Sequence, residues 1–156
     1  RKVACKALER EAQAENGPAA AIELPDGMIV TGRTGELLGA ASAALLNALK
    51  TLAGIDDEVK LVAPEAIEPI QHLKTSYLGG KNPRLHTDEI LIALSASAAS
   101  NPLAKKAMQQ LPALRGCEAH STVLLSSVDE QIINRLGLHL TCEPRYEMDD
   151  RMYHKH

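Results

Sequence analysis

Between positions 116 and 122 the chain crowds a thiol, a carboxylate, an imidazole and two hydroxyls into one short stretch, Gly116-Cys117-Glu118-Ala119-His120-Ser121-Thr122. A cysteine becomes a nucleophile when a base or a positive field lowers its pKa, and His120 lies close by in sequence. If the stretch is extended, side chains alternate between two faces, so Cys117 and His120 point apart while Cys117 and Ser121 share a face. Cys117, His120 and Ser121 are therefore the catalytic candidates. The plainer reading, Cys117 as a small buried hydrophobe, fits most free cysteines and is preferred. A zinc quartet is the less favoured alternative, pairing Cys117-x2-His120 with His139-x2-Cys142, all good zinc ligands. Strand alternation divides each x2 pair, so the expectation is no metal.

A second patch, Thr31-Gly32-Arg33-Thr34-Gly35, lies where a strand is expected to pass into a helix. Free N–H groups at a helix N-terminus, two glycines and a guanidinium would together suit a phosphate or carboxylate. Gly32, Arg33, Thr34 and Gly35, with Thr122, are the ligand-binding candidates. The competing reading is an ordinary turn in which Thr34 caps the helix, and a lone glycine motif is weak enough that this reading is preferred. His72, His86 and the terminal His154 and His156 are assigned no role.

These residues need elements to position them. A polar helix is expected over 2–15, ended by Asn16-Gly17-Pro18. Short strands at 21–24 and 28–30 flank Pro25-Asp26-Gly27, which predicts a β-hairpin. The strongest helix spans 36–53, with one leucine-rich stripe and a second face of small residues that includes Gly39, Ala43 and Asn47. Gly54-Ile55 reads as its stop. Leu61-Val62-Ala63 reads as a buried strand, and Pro64 is placed to start a helix over 65–78. Thr87 is expected to cap a helix over 88–99, and Asn101-Pro102 opens another that ends near Pro112. A strand at 119–125, a capping box Ser127-x-x-Glu130 opening a helix over 128–136, Gly137, and a strand at 138–142 form a βαβ unit. The fold class is α/β: a small mixed sheet with helices packed on it, an N-terminal β-hairpin and a C-terminal βαβ unit. The expected division is a linking helix (1–17) from a missing upstream region, a single α/β domain (18–146) and a polar tail (147–156).

With 45% apolar and 24% charged residues the chain has ordinary globular composition, but it holds no Phe, no Trp and three Tyr, so its core must be aliphatic and rich in alanine. A net charge of −3 and the scarcity of rings argue against nucleic-acid partners. No apolar run reaches the roughly 20 residues that span a bilayer, so no membrane partner is expected. Nor does the start resemble a signal peptide. Three cysteines are too few and oddly numbered for a disulfide framework, which points to a reducing, cytoplasmic setting. The absence of Met at position 1 suggests a piece of a longer chain.

The string AIELPDGMIVTGRTGELLGAASAALLNALKTLAGIDD over 21–57 resembles the C-terminal region of the bacterial family known as domain of unknown function 1846. KLVAPEAIEPI from Lys60, EILIALSASAASNP from Glu89 and LRGCEAHSTVLLSSVDEQIINRLG from Leu114, with its TCEP continuation from Thr141, agree, so the resemblance covers roughly 18–146. It implies a longer protein whose preceding α/β portion carries a glycine-rich, phosphate-loop-like segment. It brings no established activity, cofactor or catalytic residue, and His139 and the histidine-bearing end are not features it accounts for. Two functions follow as expectations. The chain is the C-terminal domain of a larger protein, completing a phosphate-containing ligand or nucleotide site formed mainly upstream. Alternatively, it is a structural module whose small-residue helix face supports a homo-oligomer. Whether it is an enzyme stays open, and no cofactor can be named.

Overall fold

The computed structural model describes residues 1–15 and 17–147. Six helices and four strands follow in the order α1 (Lys2–Gln13), β1 (Ala19–Glu23), β2 (Ile29–Arg33), α2 (Ala40–Leu52), α3 (Pro64–Ser76), α4 (Thr87–Ala98), α5 (Pro102–Met108), β3 (Glu118–Ser121), α6 (Ser127–Arg135) and β4 (His139–Cys142) among the described residues. The strands form one mixed sheet ordered β2-β1-β3-β4, with β1 antiparallel to β2 and β3, and β3 parallel to β4. The expected α/β class, hairpin and βαβ unit are all present. The tail expected from 147 lies, apart from Glu147, outside the described residues, as do His154 and His156.

The hairpin forms because Leu24, Pro25, Asp26 and Gly27 close a turn: the Gly27 N–H donates to Leu24 O at 2.9 Å, Gly27 takes φ +90°, and Met28 N–H donates to the Asp26 carboxylate at 2.9 Å. Away from the turn its strands run two and three residues beyond the expected limits, Ala19 pairing with Arg33, while at the turn each stops one residue short, Glu23 pairing with Ile29. Helix α2 stops as expected: Gly54 adopts φ +68°, its N–H bonds Thr51 O, and Ile55 N–H reaches Lys50 O at 2.9 Å.

Two apolar layers sandwich the sheet. Ala20, Ile22 and Ala119 face the main core with α2, α4, α5 and α6, while Ala21 faces a small second core with Val3 and Ala7 of α1. Helix α1, expected as a link, thus packs as a layer of the fold. The small-residue face of α2 is explained by Gly32: a Cβ there would lie 2.2 Å from Ala44 N and 2.8 Å from Ala40 O, so helix and strand meet with no room for a side chain. Asn47 Nδ2 adds a 2.8 Å bond to Thr31 O.

Four local expectations need correction. Leu61-Val62-Ala63 is no strand: Leu61 and Val62 are buried but lie in bends leading into α3, whose first residue is Pro64. Helix α2 begins at Ala40, not 36, because Gly35 N–H turns back onto Leu38 O at 3.0 Å. The cap of α4 is His86, because both the N–H and the hydroxyl of Thr87 are drawn to Asp129, at 2.8 and 2.7 Å. The cap of α6 is Ser126, not Ser127, its hydroxyl accepting from Asp129 N–H at 3.2 Å.

Candidate functional site

The 31–35 patch is not assembled at a helix N-terminus. Thr31, Gly32 and Arg33 are paired in β2, and since Gly32 faces α2, alternation turns the exposed Arg33 to the opposite, α1 side. The N–H groups of Thr34 and Gly35 are taken by Pro18 O and Leu38 O, each at 3.0 Å.

The 117–122 cluster is split as alternation requires. Cys117 sits in the main core, its thiol 3.6 Å from Ala113 O. Burial, reinforced by the Glu23 carboxylate, pushes that thiol's pKa up. It is therefore a protonated core group and a poor nucleophile. Ser121 is buried, donating to Val123 O at 2.6 Å, and Thr122 Oγ1 accepts from Ala19 N–H at 3.0 Å. Both hydroxyls lock the end of β3. His120 lies on the other face, 5% exposed, with Nδ1 2.7 Å from Thr141 Oγ1 and Nε2 2.7 Å from Glu143 Oε2.

The zinc quartet does not converge. Glu118 pairs with His139 and Ser121 with Cys142, so Cys142 shares the Cys117 face and His139 shares the His120 face. Among the described residues the one group of three or more metal-ligating side chains is His86, Asp88 and Glu89. There the Glu89 carboxylate is held by the Lys74 ammonium at 2.7 Å and by His86 N–H at 2.8 Å. Burial works to raise the pKa of Glu89, but these donors outweigh it and the net shift is downward. A cation would have to displace the lysine.

What the fold does build is a cleft of about 60 Å³ with a mixed polar and apolar lining at the carboxyl end of β3, room for a few waters or one small oxyanion. Three helix N-termini line it: Gly39, Ala40 and Ala41 of α2, His86 before α4, and Ser126 before α6. Thr34 and Ser121, both anticipated, reach its wall; Arg84, His86 and Asn82 were not anticipated. The segment around residue 85 is threaded there by Ser42, whose hydroxyl donates to Leu85 O at 2.9 Å, and by Arg84, whose Nε donates to Gly35 O. Arg84 is 7% exposed. Helix α2 has no side-chain cap, and among the described residues nothing accepts from the N–H groups of Ala40 and Ala41. Asp129 and Glu147 also line the cleft; Asp129 is directed at Thr87. An isolated Gly-free stretch such as Asn82-Pro83-Arg84-Leu85-His86 carries no sequence signal for this role. Only the tertiary return of 82–86 to the tip of α2 reveals it.

Comparison with known proteins adds the wider frame. A UPF0371 protein of Corynebacterium glutamicum is 56% identical over 147 residues, covering 94% of this chain and 30% of the relative. A UPF0371 protein of Streptococcus pneumoniae is 50% identical over 155 residues, covering 99% of this chain and 31% of the relative. The chain thus spans about 30% of the length of these relatives. The family model described as domain of unknown function DUF1846, C-terminal, matches residues 1–153, and the chain belongs to that family as the C-terminal domain of a larger protein.

Proposed function

We propose that this domain completes a site for a phosphate-containing ligand, with the cleft at the carboxyl end of β3 as its wall and the rest of the longer polypeptide supplying most of the contacts. The observation that carries the reading is the uncapped N-terminus of α2, opening into a cleft that also holds Arg84. Unsatisfied N–H groups and the positive end of the helix dipole favour an oxyanion. Location at the carboxyl end of a parallel strand, here β3, is where α/β sheets commonly receive ligands. The three free thiols accord with a cytoplasmic place for it.

Gly39→Asp tests this without breaking the fold. Gly39 has φ −70° and a Cβ there meets nothing nearer than Leu85 O at 3.9 Å, so aspartate fits and caps α2 while repelling an anion. In the full-length protein, phosphate, nucleotides and sugar phosphates are screened by thermal unfolding; a ligand at a hundredfold excess over Kd should add about 2.7 kcal/mol. The shift should vanish in Gly39→Asp, which should itself unfold no lower than the parent. An undiminished shift in the variant removes the α2 terminus from the site.

The assembly reading has a different support. A largely apolar groove of about 470 Å³ runs between α2, the 57–62 segment and α3, with Leu46, Val59 and Ile67 in its wall. Leu46→Lys should weaken self-association seen by sedimentation if a second copy sits there; an unchanged profile speaks against it.

A further inference from the structure

The sheet face shared with α1 carries a hydrogen-bonded chain of three side chains separate from the cleft. Glu143 Oε2 lies 2.7 Å from Nε2 of His120, and Nδ1 of the same ring lies 2.7 Å from Thr141 Oγ1. With Nε2–H donating to the Glu143 carboxylate, a ring that carries one proton presents its Nδ1 lone pair to Thr141. The Thr141 hydroxyl then donates to Nδ1. Its other neighbour, Ala119 O at 3.5 Å, is too distant to compete. Hydroxyl, imidazole and carboxylate stand in the order that activates a hydroxyl nucleophile.

Exposure points the same way. The ring is buried, with 6% of its side chain accessible, yet Thr141 is exposed on β4, an edge strand of the sheet. The base is shielded and the hydroxyl is presented. The N–H groups of His139 and Glu143 bond to Cys117 O and Ser121 O on β3, so by alternation those of Leu140 and Cys142 face the open edge. The Cys142 N–H, next after Thr141, is a backbone donor for an oxyanion developing at an attacked carbonyl.

We propose that Thr141 is a nucleophile for acyl transfer from an ester, with His120 as its general base and Glu143 as the positioning residue. Thr141 Oγ bonds to the carbonyl carbon as its proton passes to His120 Nδ1. The ester C–O bond then breaks, and the alkoxide leaves with that proton. Water, deprotonated by the same ring, adds to the acyl carbon; the C–Oγ bond breaks, the ring returns that proton to Thr141 Oγ, and the carboxylic acid is released.

The full-length protein is treated with an alkyl fluorophosphonate: an Oγ–P bond forms, the P–F bond breaks, fluoride leaves, and the hydroxyl proton goes to His120. Mass spectrometry should place one adduct on Thr141, retained in Thr141→Ser. His120→Gln should slow labelling by about a hundredfold or more. Glu143→Gln should slow it as well, and Glu143→Asp should restore part of the rate, which a merely structural carboxylate would not do. No adduct at Thr141, or an equal rate in a folded His120→Gln, overturns the proposal. Should His120→Gln fail to fold, the wild type decides: p-nitrophenyl acetate must acetylate Thr141, and acetyl groups found only on lysines overturn it.

Discussion

A thiol reacts as its thiolate, so the environment of each cysteine fixes its order of reaction. Cys5 is exposed, while burial raises the pKa of both Cys117 and Cys142. At Cys142 the Glu130 carboxylate adds to the rise and a bond from Leu125 N–H offsets part of it. Limiting iodoacetamide at mildly alkaline pH should therefore label Cys5 well ahead of the other two in the native protein, read by peptide mass spectrometry. Equal labelling would contradict the placement of Cys117 in the core. Glu89 titrates in the other direction. Burial raises its pKa, but the hydrogen bond from Lys74 and then the His86 N–H hold the net value below the usual carboxylate range. A group with a lowered folded pKa stabilises the fold above its unfolded pKa and loses that contribution as pH falls through the folded one. The urea-unfolding difference between wild type and Glu89→Gln should be about 2 kcal/mol at neutral pH. It should shrink towards zero below the carboxylate range; a difference independent of pH would exclude the ion pair with Lys74 as its source.

Between elements, the decisive contact is the approach of α2 to β2 at Gly32. Adding one methyl there places carbon 2.2 Å from Ala44 N, and no flexible side-chain end can move aside because the obstructing atoms are helix backbone. Gly32→Ala should cost about 3 kcal/mol in chemical denaturation, and a near-neutral result would mean that α2 is free to slide. That contact was half legible. The small residues at 39–47 mark a close-packing face, but not its partner, and Gly32 in its sequence context reads equally well as an anion-loop glycine. Turn chemistry was legible where it is local: Pro25-Asp26-Gly27 and Gly54-Ile55 each specify their geometry within a few residues. Capping residues slipped by one position because neighbouring polar side chains compete. Thr87 yields the cap to His86 because its own N–H and hydroxyl are drawn to Asp129, a partner 42 residues away that no local pattern identifies. Leu61-Val62 was apolar enough for a strand, yet it buries against the main core without pairing.

At the scale of the molecule, candidate chemistry depended on which distant segments meet. His120 stood out by type, but its partners Thr141 and Glu143 become visible only once β3 and β4 pair in parallel with His120 opposite Thr141. The cleft likewise needs the tips of α2, α4 and α6 to meet at the end of β3. Helix α1 closes the face that holds His120, and it does so by packing and by charge. Val3 and Ala7 are 1% and 0% exposed against Ala21; Arg1 pairs with Glu118 at 3.0 Å, and Glu11 with Arg145 at 3.1 Å, two residues beyond Glu143. The Arg1–Glu118 pair is exposed on both sides and contributes little in water, and only Glu11 of the second pair is buried, so the aliphatic contacts should dominate the stabilising effect of α1. Burying one valine and neighbouring methyl groups predicts about 3 kcal/mol for α1 as a whole. A chain beginning at residue 17 should then unfold at correspondingly lower urea than the 1–156 chain, with faster amide exchange along β1 and β3. If the two chains unfold together, α1 is a connector laid on a finished sheet, and the shielding of His120 must come from elsewhere in the longer protein.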